Sequence, residues 1–330
     1  MHYISLWEMA EIGQRLNRSV NVRPELRGYA MQAVPPDPQR GTLSVSDLAS
    51  TLCTTHRDIY LAKVKRIKSK SKERPWEAEE GIIIHSLLQE IHRQARKILP
   101  SKGTELNTQS LLRRLRAFGK KRKNELLARY KNEQRFAGQQ WNAIDRHLDN
   151  IIFFEALLIC SLLNYKASGK TVLATGTDIN PIQEFEQLFG FSAIEHRLSA
   201  PFLGLTEPVT PDFLYAHRAI GDIKTGAFHE DTFELTCVAY ALAYEAETKR
   251  DIDFGIILHV GKSSKHPFPV YQGSRLYEIN DLARTKFVFI RDQKLRVLEQ
   301  QQIEPPVQPD EPRCKPCRFY SRCWEKQRNA

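Results

Sequence analysis

The sequence predicts an α/β (α+β) protein, in which a mixed sheet is flanked by helices and preceded by a largely helical region. Before residue 170, long stretches repeat apolar side chains at helical spacing, as in WEAEEGIIIHSLLQEIHRQARKIL (76–99). After it, short β-rich runs such as DIDFGIILHV (251–260) are bounded by Gly, Pro and Asp. One amphipathic helix, FELTCVAYALAYEAETK (233–249), lies between these runs. This order indicates a sheet with helices packed on it.

The chain is predicted to have four regions. An arm and linker come first, because AVPPDPQRG (33–41) is rich in proline, and the Pro-rich QQIEPPVQPDEPR (301–313) leads into a cysteine cluster. The regions are residues 1–43 (arm and linker), 44–185 (helical region), 186–300 (sheet-containing core) and 301–330 (C-terminal cysteine segment).

The helical region is predicted to begin with one helix over LSVSDLASTLCTTHRDIYLAKV (43–64). Ser46 can cap its N-terminus, and Leu48, Ile59 and Val64 contribute to an apolar face. Later in the region, the most apolar run of the chain is IIFFEALLICSLL (151–163). It is too short to span a bilayer and predicts a buried helix.

Composition narrows the class of partner and the location. The chain has 49 Lys and Arg against 39 Asp and Glu, a net charge of +10. This excess predicts a polyanionic partner, nucleic acid before membrane, although a merely basic surface remains the alternative. The N-terminus lacks the apolar core of a signal peptide, and six cysteines in a chain this long do not make a secreted disulfide scaffold. We therefore expect a cytoplasmic, reducing location, where clustered cysteines indicate metal.

A basic segment lies between residues 111 and 135, with ten Lys or Arg residues against two acidic ones. Leucines and aromatic residues interleave with the cations, which predicts an amphipathic basic helix. Its charged face either is simply solvated or follows a phosphate backbone. The predicted DNA-binding residues are Arg113, Arg114, Arg116, Lys120, Lys121, Arg122 and Lys123.

The sharpest catalytic signal is PDFLYAHRAIGDIKTG (211–226). Asp222 and Lys224 share one face of a strand, because side chains alternate along it, and a hairpin would bring Asp212 alongside. Two such carboxylates repel each other, and Mg²⁺ or Mn²⁺, which prefers oxygen ligands, relieves that repulsion. The metal would activate a water against a phosphodiester, and Lys224 would position that water or stabilise the developing charge. The alternative is a surface hairpin with an exposed ion pair.

The C-terminal EPRCKPCRFYSRCW (311–324) raises the question of a fourth thiol beside Cys314, Cys317 and Cys323. Cys160 lies in the apolar run and Cys237 on the amphipathic helix, so both are predicted core thiols. Cys53, in the polar stretch STLCTTHRD, is the natural partner of the C-terminal three. By thiolate count alone, zinc and an iron–sulfur cluster both remain open.

With Asp212, the Asp222-Ile223-Lys224 triplet and GIIIHSLL (81–88), the sequence resembles the RecB-like branch of the PD-(D/E)XK nuclease superfamily. The resemblance implies a restriction-endonuclease-like fold. It also implies that His85, Asp212, Asp222 and the Ile223 carbonyl hold the metal, with Lys224 catalytic. One departure stands out: the branch usually carries Gln-x-x-x-Tyr on the following helix. Here Tyr240 is present and is expected to keep its catalytic role, but Thr236 replaces the Gln.

The arrangement of the cysteines, with one before the nuclease motifs and three after them, resembles that of the iron–sulfur RecB-like nucleases. These include AddB-type subunits and the CRISPR-associated Cas-four exonucleases. The N-terminal half, with ELRGYA (25–30) and IIIHSLLQEIH (82–92), is similar to the Csa-one subgroup. This implies a [4Fe-4S] cluster held by Cys53, Cys314, Cys317 and Cys323, beside Mn²⁺ or Mg²⁺.

The same resemblance implies a function. The protein would be an exonuclease that trims the single-stranded ends of prespacer DNA fragments during CRISPR adaptation, with the Cas-one and Cas-two integrase complex as partner. The alternatives are a non-catalytic DNA-binding partner, suggested by the missing Gln, a zinc-stapled nucleic-acid module, and a RecB-like DNA-repair nuclease.

Overall fold

In this computed structural model, the structure describes residues 15–16, 18–31, 43–67, 76–98, 107–131, 138–167, 197–205, 208–215, 218–224, 230–263, 266–315 and 317–325. The Pro-rich stretch 33–41 and the predicted boundary between residues 185 and 186 lie outside this part of the chain.

Among the described residues, the first half of the chain is mainly helical and the second half contains a sheet with further helices. The helices are α1 (Val45–Ala49), α2 (Arg57–Ile59, continued by a π-helical turn over Tyr60–Val64), α3 (Trp76–Ile98), α4 (Thr108–Lys131), α5 (Gly138–Ala167), α6 (Glu230–Thr248), α7 (Asp281–Glu299) and α8 (Glu311–Cys314). The strands are β1 (Phe213–Tyr215), β2 (Ala219–Lys224), β3 (Phe254–Ser263) and β4 (His266–Glu278).

The sheet has the order β1-β2-β3-β4. β1 and β2 form an antiparallel hairpin, β2 and β3 are parallel, and β3 and β4 are antiparallel. The parallel pair is joined by α6, because parallel neighbours need a crossover that returns the chain to the same end of the sheet. The predicted mixed α/β architecture is confirmed.

The two faces of the sheet belong to two cores. Phe213, Phe254 and Ile256 pack with α3, α4 and α5, whereas Ile220 and Ile257 pack with α6 and α7. Alternation of side chains along the strands produces this division. The buried polar side chain of Asp222 follows Ile220 by two residues and therefore lies on the α6 face.

The apolar run 151–163 lies in α5, as predicted, but the helix is not buried all round. Ile152 and Ile159 are buried in the helical core, whereas Phe153 and Leu157 are exposed. Among the described residues, no helix combines the length and the apolar character needed to cross a bilayer.

The predicted single helix over residues 43–64 is wrong, because the chain breaks into α1 and α2. Ser44, not Ser46, caps α1: its hydroxyl accepts from the Asp47 amide (3.1 Å), and the Asp47 carboxylate accepts from the Ser44 amide (2.9 Å). At the other end, buried Lys294 of α7 donates to the carbonyls of Asp47 (2.7 Å) and Leu48 (2.9 Å). These carbonyls would otherwise continue the helix, so the break leaves Cys53 in the connection.

The described part of the predicted N-terminal arm, residues 18–31, and the C-terminal Pro-rich stretch both contact the folded core. In the N-terminal arm, Arg27 is buried, and Gly28 approaches α6 so closely that a Cβ would lie 1.9 Å from the Leu242 carbonyl oxygen. In the C-terminal Pro-rich stretch, Gln308 is buried, and Arg57 binds the Pro305 carbonyl. Proline content predicted the lack of regular structure here but not these long-range contacts.

Candidate active site and cysteine cavity

The β1–β2 hairpin brings the two predicted carboxylates together. Its register pairs Phe213 with Gly221, so Asp212 lies opposite Asp222 at the start of β1. The Asp212 amide donates to the Gly221 carbonyl at 3.0 Å, which extends the ladder to this point. Asp222 is buried, at 5% exposure.

Helix α3 supplies the imidazole. His85 Nε2 lies 2.9 Å from Asp212 Oδ2, and the Ile223 amide donates to the same oxygen at 2.6 Å. In an extended strand, the N–H and C=O of one residue point to the same side, so the Ile223 carbonyl also lies on the edge that faces Asp212. The predicted ligands therefore gather at one end of the hairpin.

Lys224 completes the constellation. Its ammonium forms an ion pair with Asp222 Oδ2 and lies 5.6 Å from the centre of the Phe233 ring. Burial opposes the charge of this lysine, but Asp222 holds its pKa above the usual value. Lys224 therefore remains an ammonium at neutral pH.

The two carboxylates titrate very differently. Burial, reinforced by the negative charge of Asp212, raises the pKa of Asp222 to about 8. Burial also opposes ionisation of Asp212, but hydrogen bonds with His85 and Asp222 hold its pKa below the usual value. Near neutral pH the pair of carboxylates therefore holds one proton.

A divalent cation fits the chemistry of this donor set. Two carboxylates and an imidazole meet in a buried place where a proton already offsets part of the negative charge, and a cation would replace that proton. The side chains touch pairwise, His85 to Asp212 and Asp212 to Asp222. Within the described residues, no three His, Cys, Asp or Glu side chains surround one point closely enough to hold an ion as they stand. Binding would therefore require these contacts to open.

An open cleft with about 870 Å³ of empty space adjoins Lys224. Tyr240 and Lys63 also line it. Burial raises the pKa of Tyr240 well above its usual value, so its phenol stays protonated and able to donate. Thr236, where the resemblance expects Gln, donates its hydroxyl to the Thr232 carbonyl at 2.8 Å. That hydroxyl is therefore engaged within its own helix.

The basic segment is the helix α4, but Lys123 does not belong to its solvent face. Lys123 is 6% exposed and its ammonium lies 3.0 Å from Asp145 and 2.8 Å from Asp149 of α5. The prediction that it contacts DNA is therefore corrected: it joins two helices. Helical phase explains the difference, because Lys123 follows buried Gly119 by four residues and faces α5.

The other predicted DNA-binding side chains fall into two groups. Arg116 stacks on Phe153 at 5.0 Å, and Arg122 pairs with Glu125 at 2.7 Å, so both are partly engaged. The exposed members are Arg113, Arg114, Lys120 and Lys121.

The four predicted cluster cysteines line one cavity with about 330 Å³ of empty space: Cys53, Cys314, Cys317 and Cys323. Burial raises the pKa of Cys317 and Cys323, so a positively charged centre would be needed to keep these thiolates ionised. As donor types the four thiols suit an iron–sulfur cluster and zinc equally, but among the described residues no three of them surround one point closely enough to hold an ion as they stand. Cys160 and Cys237 are buried elsewhere, which confirms them as core thiols.

Three side chains at these sites escaped prediction from the sequence. Gln89 lies one helical turn after His85, with its Nε2 3.5 Å from His85 Nε2, and the i,i+4 spacing was an available signal. Lys63 in the cleft and Gln308 at the cysteine cavity carry no such signal. Lys63 shares the cleft with Tyr240, and Gln308 meets Thr54, which is 254 residues away in the chain.

Comparison with known proteins gives a consistent family. The model of the family described as CRISPR-associated exonuclease Csa1 matches residues 4–326. A Saccharolobus solfataricus protein named CRISPR-associated exonuclease Csa1 is 26% identical over 314 residues, covering 92% of each chain. A crystal structure from Eubacterium rectale, of a protein described only provisionally as an exonuclease, covers 49% of this chain and 73% of its own. Its identity is 14% and its TM-score 0.28.

The raised pKa of Asp222 predicts how metal-free stability depends on pH. A carboxyl whose folded pKa lies near 8 against 3.8 unfolded favours folding when protonated, and this contribution is lost as pH rises towards 8. In chelator, we expect Asp222→Asn to be more stable than wild type, by a margin that grows up to pH 8 and then levels off. Thermal unfolding from pH 5 to 9 measures this. Asp292→Asn, which changes a half-exposed carboxylate paired with Arg291, is the control, and a margin independent of pH would contradict the assignment.

Because α4 has exposed cations on one face and buried Lys123 on another, substitutions on the two faces should have different effects. Replacing Arg113, Arg114 and Lys120 by Ala should weaken binding to single-stranded DNA and reduce the slope of log affinity against log salt by about 2. Lys123→Ala should leave that slope unchanged but destabilise the fold by about 1–3 kcal/mol, because it removes two charged hydrogen bonds. Fluorescence anisotropy at several salt concentrations and urea unfolding measure these effects. A reduced slope in Lys123→Ala would overturn the division.

Proposed function

Because the chain belongs to the CRISPR-associated exonuclease Csa1 family, we propose that it is a metal-dependent DNA exonuclease of PD-(D/E)XK type. The observation that carries this proposal is the meeting of His85, Asp212 and Asp222 beside Lys224. An exposed structural hairpin would not bury two carboxylates together, since an unpaired buried charge is costly.

The residues have distinct roles in this proposal. Asp212, Asp222, His85 and the Ile223 carbonyl would hold Mn²⁺ or Mg²⁺, which supplies Lewis-acid polarisation and an activated water when bound. The carboxylate pair must release its proton before both side chains can coordinate the metal. Lys224, as an ammonium, stabilises negative charge that develops on the phosphate oxygens. It does not serve as a base at neutral pH, because its pKa is raised.

The cleft beside Lys224 is the proposed entry for the DNA strand. Tyr240 contributes a protonated phenol and Lys63 an ammonium to the lining of this cleft. The Lys63 ammonium also forms an ion pair with Asp47 Oδ2 at 2.8 Å. Such groups bind a sugar–phosphate backbone without reading its sequence. The exposed cations of α4 would hold more distant phosphates, with Arg113 and Arg114 the foremost of these.

The second part of the proposal is a [4Fe-4S] cluster in the cysteine cavity. The support is the convergence of Cys53 with three cysteines that lie more than 250 residues later in the chain. A cross-link across so long a loop restricts the unfolded chain, although the gain rises only logarithmically with loop length. The cluster would therefore bind the connection between α1 and α2 to the C-terminal segment.

The proposed biological role is the trimming of single-stranded ends on prespacer fragments before their integration in CRISPR adaptation. The family description, which names a CRISPR-associated exonuclease, supports this role. The integrase complex of Cas-one and Cas-two is the proposed partner, in the cytoplasm, where it would receive the trimmed DNA.

Lys224→Ala tests the catalytic assignment. With 5′- and 3′-labelled single-stranded DNA and Mn²⁺, we expect the initial rate to fall about 100-fold or more, because a charge-stabilising group is lost. Lys286→Ala, a half-exposed lysine of α7, is the matched control and should digest DNA at the wild-type rate. Equal rates in wild type and Lys224→Ala would refute the assignment, and the two labels report the polarity.

Cys53→Ala tests the cluster. Protein purified anaerobically should contain about four iron atoms per chain and absorb broadly in the visible range. Cys53→Ala should lose most of that iron and unfold at a lower temperature, whereas Cys160→Ala, a core thiol, should keep its iron. A colourless wild-type protein that contains zinc would contradict the proposal.

A further inference from the structure

Gln308 lies between the two halves of the cysteine cavity. It belongs to the Pro-rich stretch between α7 and α8, and its side chain is 2% exposed. It lines the cavity together with Cys53 and Cys314. A polar amide buried to this degree needs partners, because an unsatisfied amide in the interior is costly.

The hydrogen bonds of Gln308 fix which end of the amide faces which partner. Its Oε1 accepts from the Thr54 backbone amide at 2.9 Å and from the Thr54 hydroxyl at 3.1 Å. A backbone N–H can only donate, so the atom that faces it must be the carbonyl oxygen. The Nε2 end therefore faces Cys314, where it donates to Sγ at 2.8 Å.

We propose that Gln308 is a positioning residue that donates a hydrogen bond to the Cys314 thiolate and thereby raises the reduction potential of the bound cluster. The proposal rests on the proposed [4Fe-4S] cluster. Thr54 follows Cys53 directly, so the same amide also ties the loop of the first ligand to the second.

The electrostatic reason is the change of charge on reduction. An electron added to the cluster increases the negative charge on its sulfur ligands, and an N–H donor stabilises that charge more than it stabilises the oxidised state. The amide is buried, and the low local dielectric strengthens the effect. Loss of the donor should therefore favour the oxidised cluster. A purely mechanical spacer would leave the potential unchanged.

Gln308→Glu keeps the hydrogen-bond acceptor of the side chain but removes its donor. The carboxylate keeps an oxygen to accept from Thr54 but cannot donate to Cys314. We expect the oxidised cluster to be favoured about tenfold, a midpoint potential about 59 mV more negative than that of wild type. As pH falls and the carboxyl gains a proton, it becomes a donor, and the difference from wild type should shrink. Redox titration of the visible absorbance at several pH values measures this, with Gln301→Glu as an exposed control of equal charge.

Each outcome decides between the alternatives. Equal potentials for wild type and Gln308→Glu, with full iron in both, overturn the inference. A wild-type protein without iron refutes the cluster proposal itself, which iron analysis shows before any variant is compared. Uncharged Gln308→Leu is measured in every case, because a buried carboxylate lowers the potential by its charge alone: a lowered potential in Gln308→Leu supports the donor role, and an unchanged one overturns it. If both variants lack iron while Thr54→Val retains it, Gln308 is a structural clamp and the inference fails.

Discussion

The relative placement of the helices around the sheet depends on one buried carboxylate, Glu245 of α6. It is fully buried and accepts from Arg27 (2.8 Å), from the Gly28 amide (2.8 Å), from Arg284 (2.8 Å) and from the Ile252 amide (3.0 Å). Burial opposes its charge, but Arg284 and its other donors lower its pKa. A buried charge is tolerated only when it is saturated in this way. The N-terminal segment, α6, α7 and the approach to β3 therefore meet at one point.

The two helices that meet at Glu245, α6 and α7, also contact the two candidate sites. Helix α6 carries Tyr240 and packs against β2, which presents Asp222 and Lys224. Helix α7 carries Lys294, whose pKa burial lowers to about 8 and whose ammonium binds the last carbonyls of α1. These contacts hold the end of α1, after which the Cys53 loop begins. The carboxylate cluster and the cysteine cavity are thus linked through two adjacent helices, so a change at the junction would affect both.

Local patterns predicted much of this arrangement. Strand alternation and the short turn of the hairpin were sufficient to bring Asp212 alongside Asp222. Contacts between distant segments were not predictable. The basic pattern of α4 gave no sign that Lys123 meets two aspartates of α5, and the apolar spacing of residues 43–64 gave no sign of the break at which Lys294 binds the carbonyls of α1. Periodicity records which face of an element is buried, but it does not record which polar side chain arrives from elsewhere.

We propose that one chain holds two different metal centres, an iron–sulfur cluster between Cys53 and the three C-terminal cysteines and a divalent cation beside the β1–β2 hairpin. Crystals grown anaerobically with Mn²⁺, with anomalous diffraction recorded at the iron and manganese edges, test it most directly. The account predicts an iron peak inside the cavity bordered by the four cysteines and a manganese peak between Asp212, Asp222 and His85. Zinc in the cysteine cavity, or manganese bound away from those carboxylates, would contradict it.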